Sequence, residues 1–396
     1  MPVATKHNRL RTFLGALRNQ MAPTECPRQK LRGLIRPPHP LQHSLKSTQL
    51  LRTVLLTTAL CTSALLPAQH TAPLRIAFWN VENLFDAIDD STTADDEFTP
   101  RGTRRWTTRR FEKKCNDVAK VLIAIGGDRL SATDQLLHAA PPAIVGLAEV
   151  ENGVVLRRLC RATPLRAYGY RYIHYDSPDP RGIDVALLYR PALFTPLHAR
   201  AIAVVDDSAR RIHTRDILYT RGTTAAGDTL QLFVVHLPSK LGGAEGQRRR
   251  NIAAHLLYQS MMQAADSFPR APIVAMGDFN STPDEAPLRK ALHLADCSRR
   301  DYSTRFVSLM ACAEEHTGSY KYHGAWQYID QFIVSSWLRQ DISPIGLGAA
   351  HVYRGEACLT DDPRYMGQKP FRTYSGWHYQ GGISDHLPIY VDLYHY

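Results

Sequence analysis

No C-x-x-C pair occurs in the 396 residues, which excludes the usual frame of a structural zinc site. The apolar stretch from Val54 to Leu66 is too short to cross a bilayer comfortably, since a span needs roughly 20 apolar residues. No internal repeat is visible, and no linker divides the chain beyond residue 72. A genuine surplus of charge is missing too. The net charge of +11 comes from 48 Lys+Arg against 37 Asp+Glu, but residues 1–68 hold ten of the basic residues and one acidic one. The remainder is almost balanced, so global charge says little about a nucleic-acid partner.

The surplus belongs to an N-terminal segment with its own character. Residues 50–68, LLRTVLLTTALCTSALLPA, are an apolar run after Lys46 followed by small residues, the pattern of a secretory signal peptide cleaved near Ala68. Cys61 follows Leu60, where lipid attachment wants a small residue. Residues 1–49 are basic and without periodicity. Signal peptides begin at the N-terminus, so the true start is expected downstream of Met1; the alternative is a genuine basic extension ahead of a membrane anchor. Export to the periplasm or the medium is expected. Cleavage leaves Cys115, Cys160, Cys297, Cys312 and Cys358. Export permits disulfides, with Cys297 to Cys312 or Cys358 as the trial pairing.

Beyond the leader, short apolar strands alternate with a few helices. LRIAFWNV (74–81), AIVGLAEV (143–150), YRYIHY (170–175), IDVALLYR (183–190), AIAVV (201–205), LQLFVVHL (230–237), PIVAM (272–276), YIDQFIVS (328–335) and PIYVDLYHY (388–396) read as strands. Residues 110–125, 154–160 and 246–265 read as helices. Several strands follow one another without a helix between them. That predicts a layered α/β sandwich rather than a doubly wound parallel sheet, in one domain over 72–396.

Polar residues gather where these apolar runs stop. Asn80 and Glu82 end the first strand, Glu149 the second, and His236 ends LFVVHL. Asp278 and Asn280 follow PIVAM in GDFN, Asp330 lies in QYIDQF, and Ser384-Asp385-His386 precedes the last strand. A sheet domain builds its site from such strand-end loops. Asp278 and Asn280, at i and i+2, share one side if the chain stays extended. Asp385 and His386, being adjacent, point apart, so a carboxylate that orients His386 must come from elsewhere, with Asp330 the candidate. Taken singly, each group has a plainer explanation: an emerging carboxylate, a turn, a structural histidine.

Together they are more specific. IAFWNVENL, GLAEVEN, RGIDVALLYR, VVHLPSK, MGDFNSTP, YIDQFIV and SDHLPIYVDL occur in the order found in the endonuclease/exonuclease/phosphatase superfamily, and the chain resembles it from Leu74 to Tyr396. The resemblance implies a four-layer α/β sandwich with two packed, largely antiparallel β-sheets. It implies a Mg²⁺-dependent phosphoester hydrolase, with Mn²⁺ or Ca²⁺ as substitutes. Glu149 corresponds to the principal metal ligand with Asn80 beside it, and Asp385 to a further metal-side or hydrogen-bonding group. His386 corresponds to the general base and Asp330 to its orienting carboxylate. Asp278 and Asn280 correspond to the pair that positions nucleophile and scissile phosphate, and His236 to a donor to phosphate oxygens. Whether one metal or two act is not legible in sequence.

The substrate is left to the loops. TPRGTRRWTTRRFEKK (99–114) surrounds Trp106 and Phe111 with seven Lys/Arg, including Arg104 and Arg105. It suits a phosphate backbone with a stacked base, or a solvated loop whose Trp covers the core. Arg181 is a phosphate-binding candidate or a loop arginine. Residues 338–382 form an aromatic-rich insert. The first reading is a nuclease acting as a monomer without a stable protein partner. The second is a phosphodiesterase or phosphatase on a lipid head group or small phosphoester. A third, a binding module without turnover, sits poorly with the intact set of polar groups.

Overall fold

The computed structural model describes residues 73–130, 139–294, 304–312, 318–340 and 345–395. The leader and signal-peptide expectations therefore lie outside the described residues. In chain order the main elements begin with β1 (Leu74–Leu84), α1 (Thr108–Ile125), β2 (Ile144–Val150), α2 (Gly153–Arg161), β3 (Arg171–His174) and β4 (Asp184–Tyr189). Next come β5 (Phe194–Ile202), β6 (Ile217–Thr224), β7 (Thr229–His236), α3 (Gly243–Ser267), β8 (Ile273–Asp278) and β9 (Phe306–Ser308). Then follow β10 (Tyr320–Tyr322), β11 (Ala325–Gln327), β12 (Asp330–Ser335), β13 (Ile345–Leu347) and β14 (His351–Val352). The last are β15 (Leu359–Asp361), β16 (Gln368–Pro370), β17 (Tyr374–Ser375), β18 (His378–Tyr379) and β19 (Ile389–His395).

Two large sheets result. One runs β13-β19-β1-β2-β4-β3, with β14 also paired to β19; the other runs β5-β6-β7-β8-β12-β9. Only β1 with β2 and β7 with β8 are parallel neighbours within them; the other pairs are antiparallel.

The period-two alternation of each strand sorts side chains into layers. Ile76, Phe78, Ile144, Leu187, Leu232, Val234, Val274, Met276, Phe332, Val334, Ile389 and Val391 meet between the sheets. Their neighbours in sequence face outward. Ala77, Trp79, Val145 and Leu147 pack on Phe111, Val118 and Leu122 of α1 and Leu156 of α2. Phe233, Val235, Ala275 and Ile333 pack on Ala253, Leu257 and Met261 of α3. The architecture is α/β/β/α, the four-layer sandwich expected. Gly277 is required by the parallel pairing of β7 and β8: a Cβ there would lie 2.2 Å from the Val235 carbonyl oxygen. No helix among the described residues is long and apolar enough to cross a membrane.

Several local expectations need correction. The strand read at 201–205 is the tail of a longer one, β5, which ends at Ile202; residues 203–205 leave the sheet. Strand β6 was not legible, because ILYTRGTT carries little apolar alternation. Within the insert, β13 and β14 join the first sheet, and β15–β16 and β17–β18 are small hairpins. Cys358 is a free thiol in the core around α1, which removes it as a partner for Cys297. Cys297 and the Cys312 side chain lie outside the described residues.

Candidate active site

The site is assembled where backbone regularity fails. Pairing between β1 and β2 shifts register between Asn80 and Leu84, and pairing between β2 and β4 shifts between Ala148 and Val150. These irregularities re-aim side chains at a strand end, as bulges do. Glu82, Asn83 and Glu149 all have positive φ, at 49°, 52° and 63°. Left-handed backbone at non-glycine residues is uncommon and persists where surrounding contacts impose it. Here the Asn83 amide donates to Glu149 Oε2 at 2.9 Å, and Asn80 Nδ2 donates to Glu149 Oε1 at 3.2 Å. The same amide nitrogen donates to Asp278 Oδ2 at 3.0 Å, linking the two sheets.

His386 arrives on the turn before β19. Ser384 Oγ donates to the Asn80 carbonyl at 2.7 Å and accepts from the His386 amide at 3.0 Å. Asp330 opens β12, directly opposite Asp278 on β8. Its Oδ2 lies 2.9 Å from His386 Nδ1, while Nε2 of the ring is 3.8 Å from Asp278 Oδ2. Donor atoms of Asp278, Asp330 and His386 all lie within 4.8 Å of one another, and all three residues are buried. His236, at the end of β7, places Nε2 3.5 Å from Asp278 Oδ2 and 3.9 Å from Glu149 Oε1.

Burial and charge set the two histidines apart. For His386 burial disfavours the charged ring, but the Asp330 and Asp278 carboxylates outweigh it and hold the ring well above its ordinary range. For His236 burial, reinforced by Arg215 and Arg181, pushes it well below that range, so the ring is neutral. Burial raises Asp278 above the usual carboxylate range, against the pull of His386. A neutral His236 can still donate one hydrogen bond, and its buried Nδ1 has no protein partner.

Eight expected residues therefore meet at one place: Asn80, Glu149, His236, Asp278, Asn280, Asp330, Asp385 and His386. Asn280 and Asn80 are arranged differently from the sequence reading, and Asp385 takes the hydrogen-bonding alternative. Asn280 has φ 48°, so the chain has already left the strand, and the shared-side argument fails. Its amide instead donates to the Asp278 side chain at 2.8 Å and its Nδ2 to the Leu237 carbonyl at 3.0 Å. Asn80 presents its nitrogen to the carboxylates, while its oxygen accepts from the Glu82 amide at 3.0 Å. Asp385 Oδ2 is paired with Arg372 at 2.7 Å, and its other oxygen is 3.9 Å from His386 Nε2.

The basic loop departs further. Trp106 is 0 % exposed, donates from Nε1 to the Phe85 carbonyl, and sits in the core around α1, so it is not available to stack on a base. Its size and apolar surface make burial against Phe98 and Tyr374 the stronger preference. Arg104 turns inward as well: it pairs with Glu97, donates to the Gly376 carbonyl and lies over the Tyr374 and Trp377 rings. Arg105 is exposed. Helix α1 starts at Thr108, two residues before the helix read from residue 110, so the second half of the basic segment lies on it. Arg181 is half-exposed beside Asp179, which also holds the buried Arg215 at 2.9 Å.

Four nearby residues were not legible as functional. Lys114, buried, donates to the Glu82 carbonyl and to Thr373 Oγ1, tying α1 and β1 to the insert. Arg215 sits behind His236, Arg372 stands at the mouth, and the Tyr320 ring packs 4.9 Å from that of His386. None lies at the end of an apolar run, so nothing local in the sequence marks them.

The candidate site thus lies at one end of a two-sheet sandwich, with a buried Asp–His pair beside converging carboxylates. The match of a profile described as Endonuclease/Exonuclease/phosphatase family to residues 75–395 shows that the chain belongs to that family. No curated protein matches the sequence. Among solved structures, the chain is similar to a humanized D. rerio TDP2, at 15% identity and a TM-score of 0.50, over 82% of this chain and 99% of that one. It is also similar to a mannosyl-6-phosphatase from Bacteroides thetaiotaomicron, at 15% identity and a TM-score of 0.51, over 81% and 99%. At that identity the likeness concerns the fold.

Members of this family depend on a divalent cation, and the residues here fit one. Glu149 and Asp278 converge, with the Asn80 amide bridging them and His236 Nε2 beside both, and Asp330 Oδ1 is buried without a hydrogen-bond partner among the described residues. Hard carboxylate oxygens suit Mg²⁺, Mn²⁺ or Ca²⁺. Glu149 and Asp278 would hold it; Asn80 would join through its oxygen only by giving up the Glu82 amide. When bound, the cation supplies neutralisation of charge on phosphoryl oxygens.

Proposed function

We propose that the protein is an exported, Mg²⁺-dependent phosphodiester hydrolase that cleaves nucleic acid, as a monomer, by attack of an activated water on phosphorus. The observation that carries the reading is the 2.9 Å contact of Asp330 with His386 Nδ1, which leaves Nε2 directed toward the cluster of Asp278, Glu149 and Asn80. In this reading neutral His386 takes a proton from the water at Nε2, and Asp330 supports the imidazolium that forms. Asp278 orients the ring edge and the attacking water. His236 donates from Nε2 to a phosphoryl oxygen, adding electrostatic stabilisation.

A second reading, a phosphodiesterase or phosphatase on a lipid head group or small phosphoester, has one observation in its favour. Arg104, Arg110, Lys113 and Lys114 of the basic segment contact the insert or its own loop, which shortens any continuous basic track.

The test uses the chain from residue 69 with supercoiled plasmid, single-stranded RNA and a small phosphodiester, with Mg²⁺ and with EDTA. His386→Ala controls for contamination. Mg²⁺-dependent nicking that the variant lacks supports the nuclease. Cleavage of the small ester alone turns the reading to the second.

A further inference from the structure

Strand β10 carries the mouth of the site outward. It is hydrogen-bonded to the segment that bears His386: the Leu387 amide donates to the Ser319 carbonyl at 2.7 Å, and Tyr320 bridges to His386. Strands β10 and β11 form a hairpin, and its two turn residues, His323 and Gly324, have φ of 48° and 86°. Two left-handed residues in succession are the turn that matches strand twist, so the hairpin is built to hold its shape. Its far face is anchored. Lys321, almost wholly buried, pairs with Asp362 at 2.8 Å and donates to the Met366 and Gln368 carbonyls.

The near face is different. Tyr320 and Tyr322, at i and i+2, lie on the same side of the strand. Tyr320 packs on His386; Tyr322 stands about 7 Å further out, two residues of strand rise. The Tyr322 ring is 53% exposed. It stacks on His323 at 4.2 Å and 30°, and His323 lies 6.3 Å from Tyr365 at 20°. Tyr322 and His323, on a hairpin fixed from behind, thus form a pile of near-parallel rings with Tyr365. Beside Tyr320 stands Arg372, paired with Asp385 at 2.7 Å and with its Nε 3.9 Å from Glu82 Oε1.

We propose that the Tyr322–His323 face is a ring-binding subsite, on which a nucleobase next to the scissile phosphate stacks. Arg372 holds a phosphate oxygen at its inner end. The inference rests on the nuclease reading above and says how its substrate, a nucleotide chain, is held: by stacking rather than by base edges. Stacking is sequence-tolerant, because every base has a π-face. The site is placed for one base beside the reacting phosphate, which compensates for the inward-turned Trp106 and Arg104. A membrane surface fits less well, since among the described residues Met366 is the only large exposed aliphatic side chain beside these rings.

The full chain with Mg²⁺ is tested on a dinucleotide and on the same dinucleotide lacking both bases. The expected result is a KM for the base-bearing compound on the order of tenfold lower than for the abasic one, in line with one stacked base. Tyr322→Ala erases that preference and Tyr322→Phe keeps it. Arg372→Ala raises KM for both compounds, with partial rescue by guanidinium. The same comparison is made by calorimetric binding to His386→Ala, which needs no turnover, so failure of the hydrolase reading is seen separately from failure of the subsite. Equal affinity for the two compounds in the wild type, or a preference that survives in Tyr322→Ala, overturns the proposal. So does Tyr322-dependent binding to phosphatidylcholine vesicles with no preference for bases.

Discussion

Asp330 Oδ2 and His386 Nδ1 are 2.9 Å apart, though 56 residues separate them in sequence, and both side chains are buried. The contact fixes which ring nitrogen is free and which pH the ring works at. The carboxylate favours the imidazolium, whereas a base works only when neutral. Asp330→Asn removes the negative charge, so the pKa of His386 falls and the acid limb of kcat/KM moves to lower pH. The rate falls by about 10²- to 10⁴-fold. A pH profile at saturating metal checks this; a limb that stays in place would separate Asp330 from His386.

Glu149 is expected to anchor the cation. Mg²⁺ should raise the melting temperature of the wild type, because a ligand that binds only the folded state stabilises it by mass action. Glu149→Gln should lose most of that rise and need more metal for activity. In EDTA the same variant should be at least as stable as the wild type, since one of two converging carboxylates has lost its charge. Melting curves of both proteins with Mg²⁺ and with EDTA decide it. An unchanged Mg²⁺ response removes Glu149 from the site.

Trp106 is a packing residue. Trp106→Ala should destabilise the fold by about 3–5 kcal/mol, the usual cost of emptying a large aromatic position. Arg105→Glu, on the exposed surface, should change stability by no more than about 0.5 kcal/mol. Urea denaturation measures both. If this loop meets nucleic acid, the Arg105 variant raises KM for DNA; an unaltered KM returns the loop to a purely structural role.

Cys115, Cys160 and Cys358 are pushed by burial up to about 12. Their ordinary value is 9.0, so the folded state holds protons that the unfolded chain has released between those values. The stability they contribute is complete below pH 9 and fades as pH rises toward 12. At pH 8 iodoacetamide should leave all three unlabelled in the native protein and modify them in urea. Peptide mapping by mass spectrometry reads this directly; rapid native labelling of any one would place that thiol outside the core.

The order of the strands, the layered class and the polar groups at strand ends were all legible because they are local. Alternation marks which residues a strand buries, and a carboxylate after an apolar run marks where it stops. Taken singly, Glu149, Asp278 and His386 had plainer explanations, and only the order of the motifs around them, matched to a family, singled them out. What the sequence could not fix is where a side chain turns once the chain leaves regular geometry. The left-handed backbone at Asn280 and the inward turns of Arg104 and Trp106 depend on partners far away in the chain, Leu237, Gly376 and Phe85 among them. Arg372 and Tyr320 gain their positions beside the site only when the insert and the β10–β11 hairpin close over it. Hydrophobic patterning specifies which surfaces are buried; hydrogen bonds between distant segments decide where each polar group ends up pointing.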